Sequence, residues 1–206
     1  MHRTARFIQQ RDRNHLVSIG AEGNTGNDRA GIDLLADSQS KHIDYATTHL
    51  WIQNWGWFAP EEASTYAAAE AKALAYLESQ IAKAKELGKP LVLEEFGVGR
   101  EGGEYDPTIA VGHRDRFYEF LFTEAGKHWG TQGPLQGLNF WSWGGEGRPS
   151  KVGGMWQAGH TLIGDPPHER QGIYSVYNQD ESTLKIIENH AQRLASPTPL
   201  VAEGGN

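Results

Sequence analysis

An α/β fold built on a parallel sheet is predicted by three features of this 206-residue sequence. Short runs of β-forming residues alternate with helical patterns, which implies parallel strands joined by helical crossovers. The clearest helix, an Ala-rich run from Glu61 to Leu87, is stopped by Gly88 and Pro90. Polar, Gly- and Trp-rich residues follow the C-terminal end of each strand, the edge at which parallel α/β folds carry their sites. An open doubly wound sheet and part of a (β/α)8 barrel both satisfy this order.

Each element has its own signal. "TARFIQQRDRN" (4–14) reads as the end of a helix, and "HLVSIGAEG" (15–23) as a strand closing in glycines. Residues 24–31 are Gly- and Asn-rich and read as a loop; "IDLLADSQSK" follows as a short helix. "IDYATTHLW" (43–51) is rich in β-formers and reads as a second strand, with "IQNWGWFAP" as its loop. In the long helix Ala73, Leu77, Ile81 and Ala84 keep one face apolar. "PLVLEE" (90–95) is a third strand, "HRDRFYEFLFTEAGK" (113–127) a helix and "LQGLNFWSW" (135–143) a fourth strand. A long loop over 144–171 leads to a last helix, "ESTLKIIENHAQRL" (181–194), and residues 196–206 read as a flexible tail.

Composition excludes several classes of function. A net charge of −7 without a Lys/Arg cluster argues against a nucleic-acid partner. No apolar run reaches the roughly 18 residues of a membrane span, and the N-terminus carries no signal-peptide pattern. Cysteine is absent, which removes disulfides, thiol catalysis and Cys-based zinc sites. No His/Asp/Glu trio has metal-ligand spacing, and no Gly-rich nucleotide loop follows a strand, so no metal or cofactor is expected. Five of the seven Trp fall in two groups, Trp51, Trp55 and Trp57, then Trp141 and Trp143. Clustered indoles beside Gly-rich loops suit the flat apolar faces of sugar rings.

"PLVLEEFGVGR" (90–100) places Glu94 and Glu95 at a strand end. Successive strand side chains point to opposite faces. Glu95 is therefore expected in the cleft and Glu94 on the opposite face.

These segments, in order, resemble glycoside hydrolase family 5 near its endo-β-1,4-mannanases. "HLVSIGAEG" is similar to the family's fifth strand, "THLWIQNWGW" to the sixth and its loop, "KPLVLEEFG" to the seventh, "GLNFWSWGG" to the eighth and "TLIGDPPHERQGIYSV" to the loop after it. The resemblance implies a (β/α)8 TIM-barrel type of fold, with residues 1–195 covering the last four βα units of the catalytic barrel. It implies a retaining endo-glycosidase acting on β-1,4-mannan or mannooligosaccharides, hence hemicellulose breakdown outside the cell. Carried over, Glu95 is the nucleophile, His49 and Trp141 belong to the −1 sugar site, and Glu22 is a substrate contact. The family often has Tyr where this chain has Trp51, whose indole N–H can still donate to the nucleophile. Trp55, Trp57 and Trp143 are then platforms or walls for flanking sugars. A β-1,4-glucanase of the same family is the alternative substrate reading.

The family's acid/base comes from an Asn-Glu pair ending the fourth strand, and this sequence has no Asn-Glu. Glu22 is the first substitute to consider; Glu146 and Asp165 on the long loop are weaker, and His160 and His168 read as surface residues. A sugar-binding or inactive half-barrel is the reading from another functional class. Four units leave open sheet edges, so a homodimer or an N-terminal half is expected to complete the barrel.

Overall fold

The computed structural model describes residues 2–24, 32–129, 131 and 133–195. The expected tail at 196–206 and most of the predicted 24–31 loop lie outside the described residues. Helix α1 (His2–Arg11) is followed by α2 (Leu34–Ser38), β1 (Ala46–Leu50), α3 (Tyr66–Leu87), β2 (Leu91–Phe96) and α4 (Gly112–Gly126). Then come β3 (Leu135–Leu138), β4 (Trp143–Gly145), β5 (Val176–Tyr177) and α5 (Glu181–Ala195). Among the described helices none is long and apolar enough to cross a membrane.

The main sheet is parallel, in the order β1-β2-β3. All five residues of β1 are buried, as expected for a parallel strand covered on both faces. Its threonines are satisfied locally: Thr47 Oγ1 donates to the Ala21 carbonyl at 2.7 Å, and Thr48 Oγ1 pairs with the Tyr76 hydroxyl at 2.7 Å.

Two predicted strands are shorter or less regular than their sequences suggest. Residues 15–23 lie along the edge of β1 without forming a regular ladder. Asp44 N donates to Val17 O and His49 N to Glu22 O, both at 2.8 Å. Between and beside those contacts Gly20 and Gly23 sit at φ 63° and 79°, which interrupts extended backbone. The predicted fourth strand divides. β3 ends at Leu138, and Asn139 N and Trp141 N continue alongside β2 by bonding Leu93 O and Phe96 O. The Trp141–Ser142 peptide is cis, and β4 leaves the main sheet to pair with β5.

Helix α3 starts at Tyr66 instead of Glu61. A 3-10 turn, Ala63–Thr65, precedes it, and Thr65 Oγ1 ties that turn by accepting from Ala59 N and donating to Glu62 O. At its other end Gly88, at φ 64°, sends its N–H to Lys85 O, while Lys89 N reaches Ala84 O. That pair of bonds is a Schellman stop, the one the Gly88/Pro90 signal predicts. Ala69, Ala73, Leu77 and Ala84 pack on the sheet; Ile81 is only partly buried. Phe117, Tyr118 and Leu121 of α4 join the same core with Leu93 and Phe96.

A buried ionic knot joins the turn after β2 to the last helix. Asp180 accepts from Arg100 Nη2 at 2.9 and 2.8 Å, from Arg114 Nη1 at 3.2 Å and from Tyr177 N at 2.9 Å. Arg100, Arg114 and Asp180 are 1 %, 0 % and 5 % exposed. Burial pushes the Arg114 guanidinium down from its ordinary value. One carboxylate thus compensates two guanidiniums. Removing it leaves both charges buried without an anion, so Asp180→Asn is expected to destabilise the fold by about 3–5 kcal/mol, measured by urea unfolding.

Candidate active site

The site forms where β1 and β2 end. Their register runs Thr48↔Leu93 and then His49↔Glu95, so Glu94 is an extra residue on β2. A bulge of this kind sets two residues against one and breaks the alternation of side chains. Both carboxylates consequently meet the same imidazole. His49 Nδ1 lies 3.1 Å from Glu95 Oε2, and His49 Nε2 lies 3.6 Å from Glu94 Oε2. The expectation that Glu94 points to the opposite face is therefore wrong. Alternation holds only in an unbroken ladder, and this one gains a residue between the two glutamates.

Trp51, the first residue after β1, lies beside Glu95 and favours its ionised form. Burial raises the Glu95 carboxyl above its ordinary value; His49 and Trp51 oppose the rise, and Glu94 and Glu22 add to it. Behind them, Trp51 packs on Tyr174 with ring centroids 4.8 Å apart and meets Trp141 edge-on at 6.4 Å. Gly97 makes this closeness possible. A Cβ there would stand 2.5 Å from the Trp141 carbonyl and 3.2 Å from the Trp51 ring.

A cavity of about 350 Å³ opens over these groups. Of the predicted site residues it is lined by Glu22, His49, Trp51, Trp55, Glu95 and Trp141. Trp57 and Trp143 do not line it. Trp57 packs edge-on against Trp55 and Tyr76. Trp143, on β4, is 56 % exposed and lies against Gly145.

The far wall comes from the long loop after β4, through Pro166, His168 and Glu169, with Asn54 beside Trp55. His168 is thus a rim residue of the cavity as well as an exposed one. Asp165 is no acid candidate, because it is buried and consumed in holding the loop. It accepts from Gly172 N at 2.7 Å, Tyr174 N at 2.9 Å and Ser175 Oγ at 2.6 Å. Tyr174 in turn donates its hydroxyl to Asn54 Oδ1, joining the loop to the Trp55 side. Glu146 is exposed and outside the cavity lining. Asn54 and Glu169 carried no sequence signal beyond lying in Gly/Pro-rich loops. Among the described residues no cluster of three or more His, Asp or Glu is arranged to hold a metal ion.

The profile of a family described as GH family 5 beta-mannosidase-like matches residues 1–198. The chain belongs to that family. Its curated relatives include mannan endo-1,4-beta-mannosidase 4 of Solanum lycopersicum, 28 % identical over 71 % of this chain and 37 % of the relative. Mannan endo-1,4-beta-mannosidase 5 of Arabidopsis thaliana is 25 % identical over 86 % of this chain and 41 % of its own length. The crystal structure of a family 5 mannosidase from Rhizomucor miehei superposes with TM-score 0.82 at 33 % identity, over 94 % of this chain and 46 % of that one. The endo-1,4-beta-D-mannanase of Thermotoga petrophila RKU-1 gives TM-score 0.63 at 26 % identity, over 93 % and 50 %. The fold is thus of the (β/α)8 type, and the chain spans half or less of the length of each of these relatives.

Glu169 gives this family member a stability signature. Its Oε2 is buried without a hydrogen-bond partner. Burial first, then Asp165, raises its carboxyl above the ordinary 4.5; His168 opposes this and Glu95 reinforces it. The folded state therefore holds an extra proton between 4.5 and the raised folded value, and stability falls as pH rises through that window. Glu169→Gln remains neutral throughout. Its melting temperature is expected to exceed that of the parent at pH 7, and the gap to close as pH falls towards 4.5, read by thermal melting across pH.

Proposed function

We propose that this chain supplies the nucleophile half of a retaining endo-β-1,4-mannanase site. The observation that carries the reading is Glu95: a carboxylate at a strand end, held by His49 and Trp51 in a cavity walled by Trp51, Trp55 and Trp141. In this mechanism Glu95 attacks the anomeric carbon, the glycosidic C–O bond breaks, and a glycosyl ester forms. Water then attacks the same carbon and releases Glu95, with net retention of configuration. His49 and Trp51 favour the ionised form of Glu95 and oppose the effect of burial. Trp141 and Trp55 offer flat apolar faces to the sugar rings, and Glu22, Asn54 and Glu169 offer polar contacts to hydroxyls. Mannan as the substrate is supported by the relatives, which are mannan endo-1,4-beta-mannosidases, and an extracellular place of action goes with a polymeric substrate.

The acid/base of the pair is assigned to a barrel-completing set of βα units, not to a described residue. Two facts support this. Among the described residues β3 is paired on one side only, and an apolar groove of about 220 Å³ runs beside it, lined by Phe122, Trp129, Leu138, Phe140 and Ile187.

Hydrolysis of mannan in preference to carboxymethylcellulose is expected, and Glu95→Gln should lower it at least about a thousandfold. Full activity in Glu95→Gln would remove Glu95 from the mechanism. No hydrolysis by either protein, with mannan retained on an affinity gel, would make the chain a sugar-binding half-barrel. Millimolar mannooligosaccharide is also expected to shift Trp emission in the parent and in Trp143→Phe alike, because Trp143 lies outside the cavity.

A further inference from the structure

We propose that Glu94 is a positioning residue that locks the His49 ring so that Nδ1 faces the nucleophile. The inference rests on Glu95 being that nucleophile. An imidazole can turn over by half a rotation about its Cβ–Cγ bond, which replaces each ring nitrogen by a carbon at nearly the same place. A single acceptor at one nitrogen leaves that flip opposed from one side only. Here each nitrogen faces its own carboxylate, Nδ1 towards Glu95 at 3.1 Å and Nε2 towards Glu94 at 3.6 Å. The flipped ring would present carbon to both. His49 is buried and the Glu94 oxygen beside it is buried with no hydrogen-bond partner of its own. The imidazole edge is the polar group that faces it, and the bulge in β2 is what brings it there.

The arrangement makes a prediction that a mere neighbouring charge does not. Glu95 is faced by His49 and Trp51 from β1 and its loop, by Glu94 on its own strand, and by Glu22; Glu169 and His168 line the same cavity. Glu94 acts on Glu95 in two opposed ways. Its charge raises the Glu95 carboxyl directly, while the ring it holds lowers it, and the His49 effect is the larger of the two. If Glu94 matters only as a charge, deleting it lets Glu95 ionise at lower pH. If it positions His49, deleting it frees the ring and Glu95 ionises at higher pH.

The test reads the nucleophile alone. 2,4-Dinitrophenyl 2-deoxy-2-fluoro-β-mannoside carries a leaving group that needs no acid. Attack by the Glu95 carboxylate on C1 expels dinitrophenolate and leaves a slowly hydrolysed ester, counted by intact mass and located by peptide mapping. Labelling rate is measured against pH and reagent concentration for the parent, Glu94→Leu, Glu94→Ala, Glu94→Gln, His49→Gln and His49→Gln/Glu94→Leu, each checked for folding by thermal melting. Glu94→Leu or Glu94→Ala is expected to label roughly tenfold slower at saturation, with reagent affinity kept and the acidic limb moved to higher pH. Glu94→Gln, which keeps a polar oxygen facing Nε2, should label within about threefold of the parent. In the His49→Gln background Glu94→Leu should cause no further slowing. An acidic limb that moves to lower pH in Glu94→Leu and Glu94→Ala, or slowing by Glu94→Leu that persists without His49, overturns the positioning role while leaving Glu95 as nucleophile. A parent that is not labelled at Glu95 overturns the nucleophile itself, and this inference with it.

Discussion

One added residue at the end of β2 organises the rest of the site. Because Glu94 has no counterpart on β1, the ladder steps from Leu93 to Glu95, and two consecutive carboxylates close on a single imidazole. The local fold is arranged to tolerate that crowding. Gly97 lets the chain turn directly against the Trp141 carbonyl, and Trp51, at the neighbouring strand end, favours the ionised form of Glu95. A regular strand would have separated the glutamates to two faces and left His49 with one partner.

The second constraint is how the loop after β4 is held in reach of Glu95. That loop has little regular structure, yet it supplies the cavity wall opposite the strands. It is anchored by polar groups instead of by a ladder. Asp165 gathers two backbone N–H groups and a serine hydroxyl, and the Gln171 side-chain amide donates to the carbonyls of Asp165, Pro166 and Glu169. Farther along, Asp180 fastens the start of α5 to Arg100 and Arg114. Buried carboxylate oxygens therefore serve two ends. Those with full sets of donors hold the loop and helix in place, and those with unfilled acceptors, Glu94 and Glu169, lie at the site. A carboxylate kept short of partners is destabilising to the fold, and it is also one that remains available to other groups.

Much of the fold was legible in the residue pattern. The Ala-rich period of α3 and its Gly88/Pro90 stop, the β-formers before His49 and the "PLVLEE" run all became elements close to their predicted bounds. Where reading failed, backbone pairing had overridden composition. "HLVSIGAEG" has a strand's residues, but Gly20 and Gly23 break its ladder. "LQGLNFWSW" reads as one strand, but its second half leaves β3 and β4 pairs elsewhere. At the site, six of the eight predicted residues share one cavity. Trp57 and Trp143 do not, because an indole's residue type says nothing of whether a neighbouring aromatic or solvent will take its face. Asn54 and Glu169 were invisible because their loops carry no period that could orient a side chain.

By itself the sequence determined the class of fold, the order of its elements, the family, and a glutamate at a strand end beside tryptophans. These follow from period, capping residues and local motif, which act over a few residues at a time. Only the tertiary structure decided that Glu94 and Glu95 face one histidine, that Trp51 and Glu95 line one cavity, that Asp165 is a loop anchor and that Glu169 closes the cavity. Each of these depends on register between strands or on the packing of segments far apart in the chain, such as Glu169 and Glu95. A one-residue bulge moves a side chain from one face of a sheet to the other, and a single sequence carries no local mark of where that residue is added.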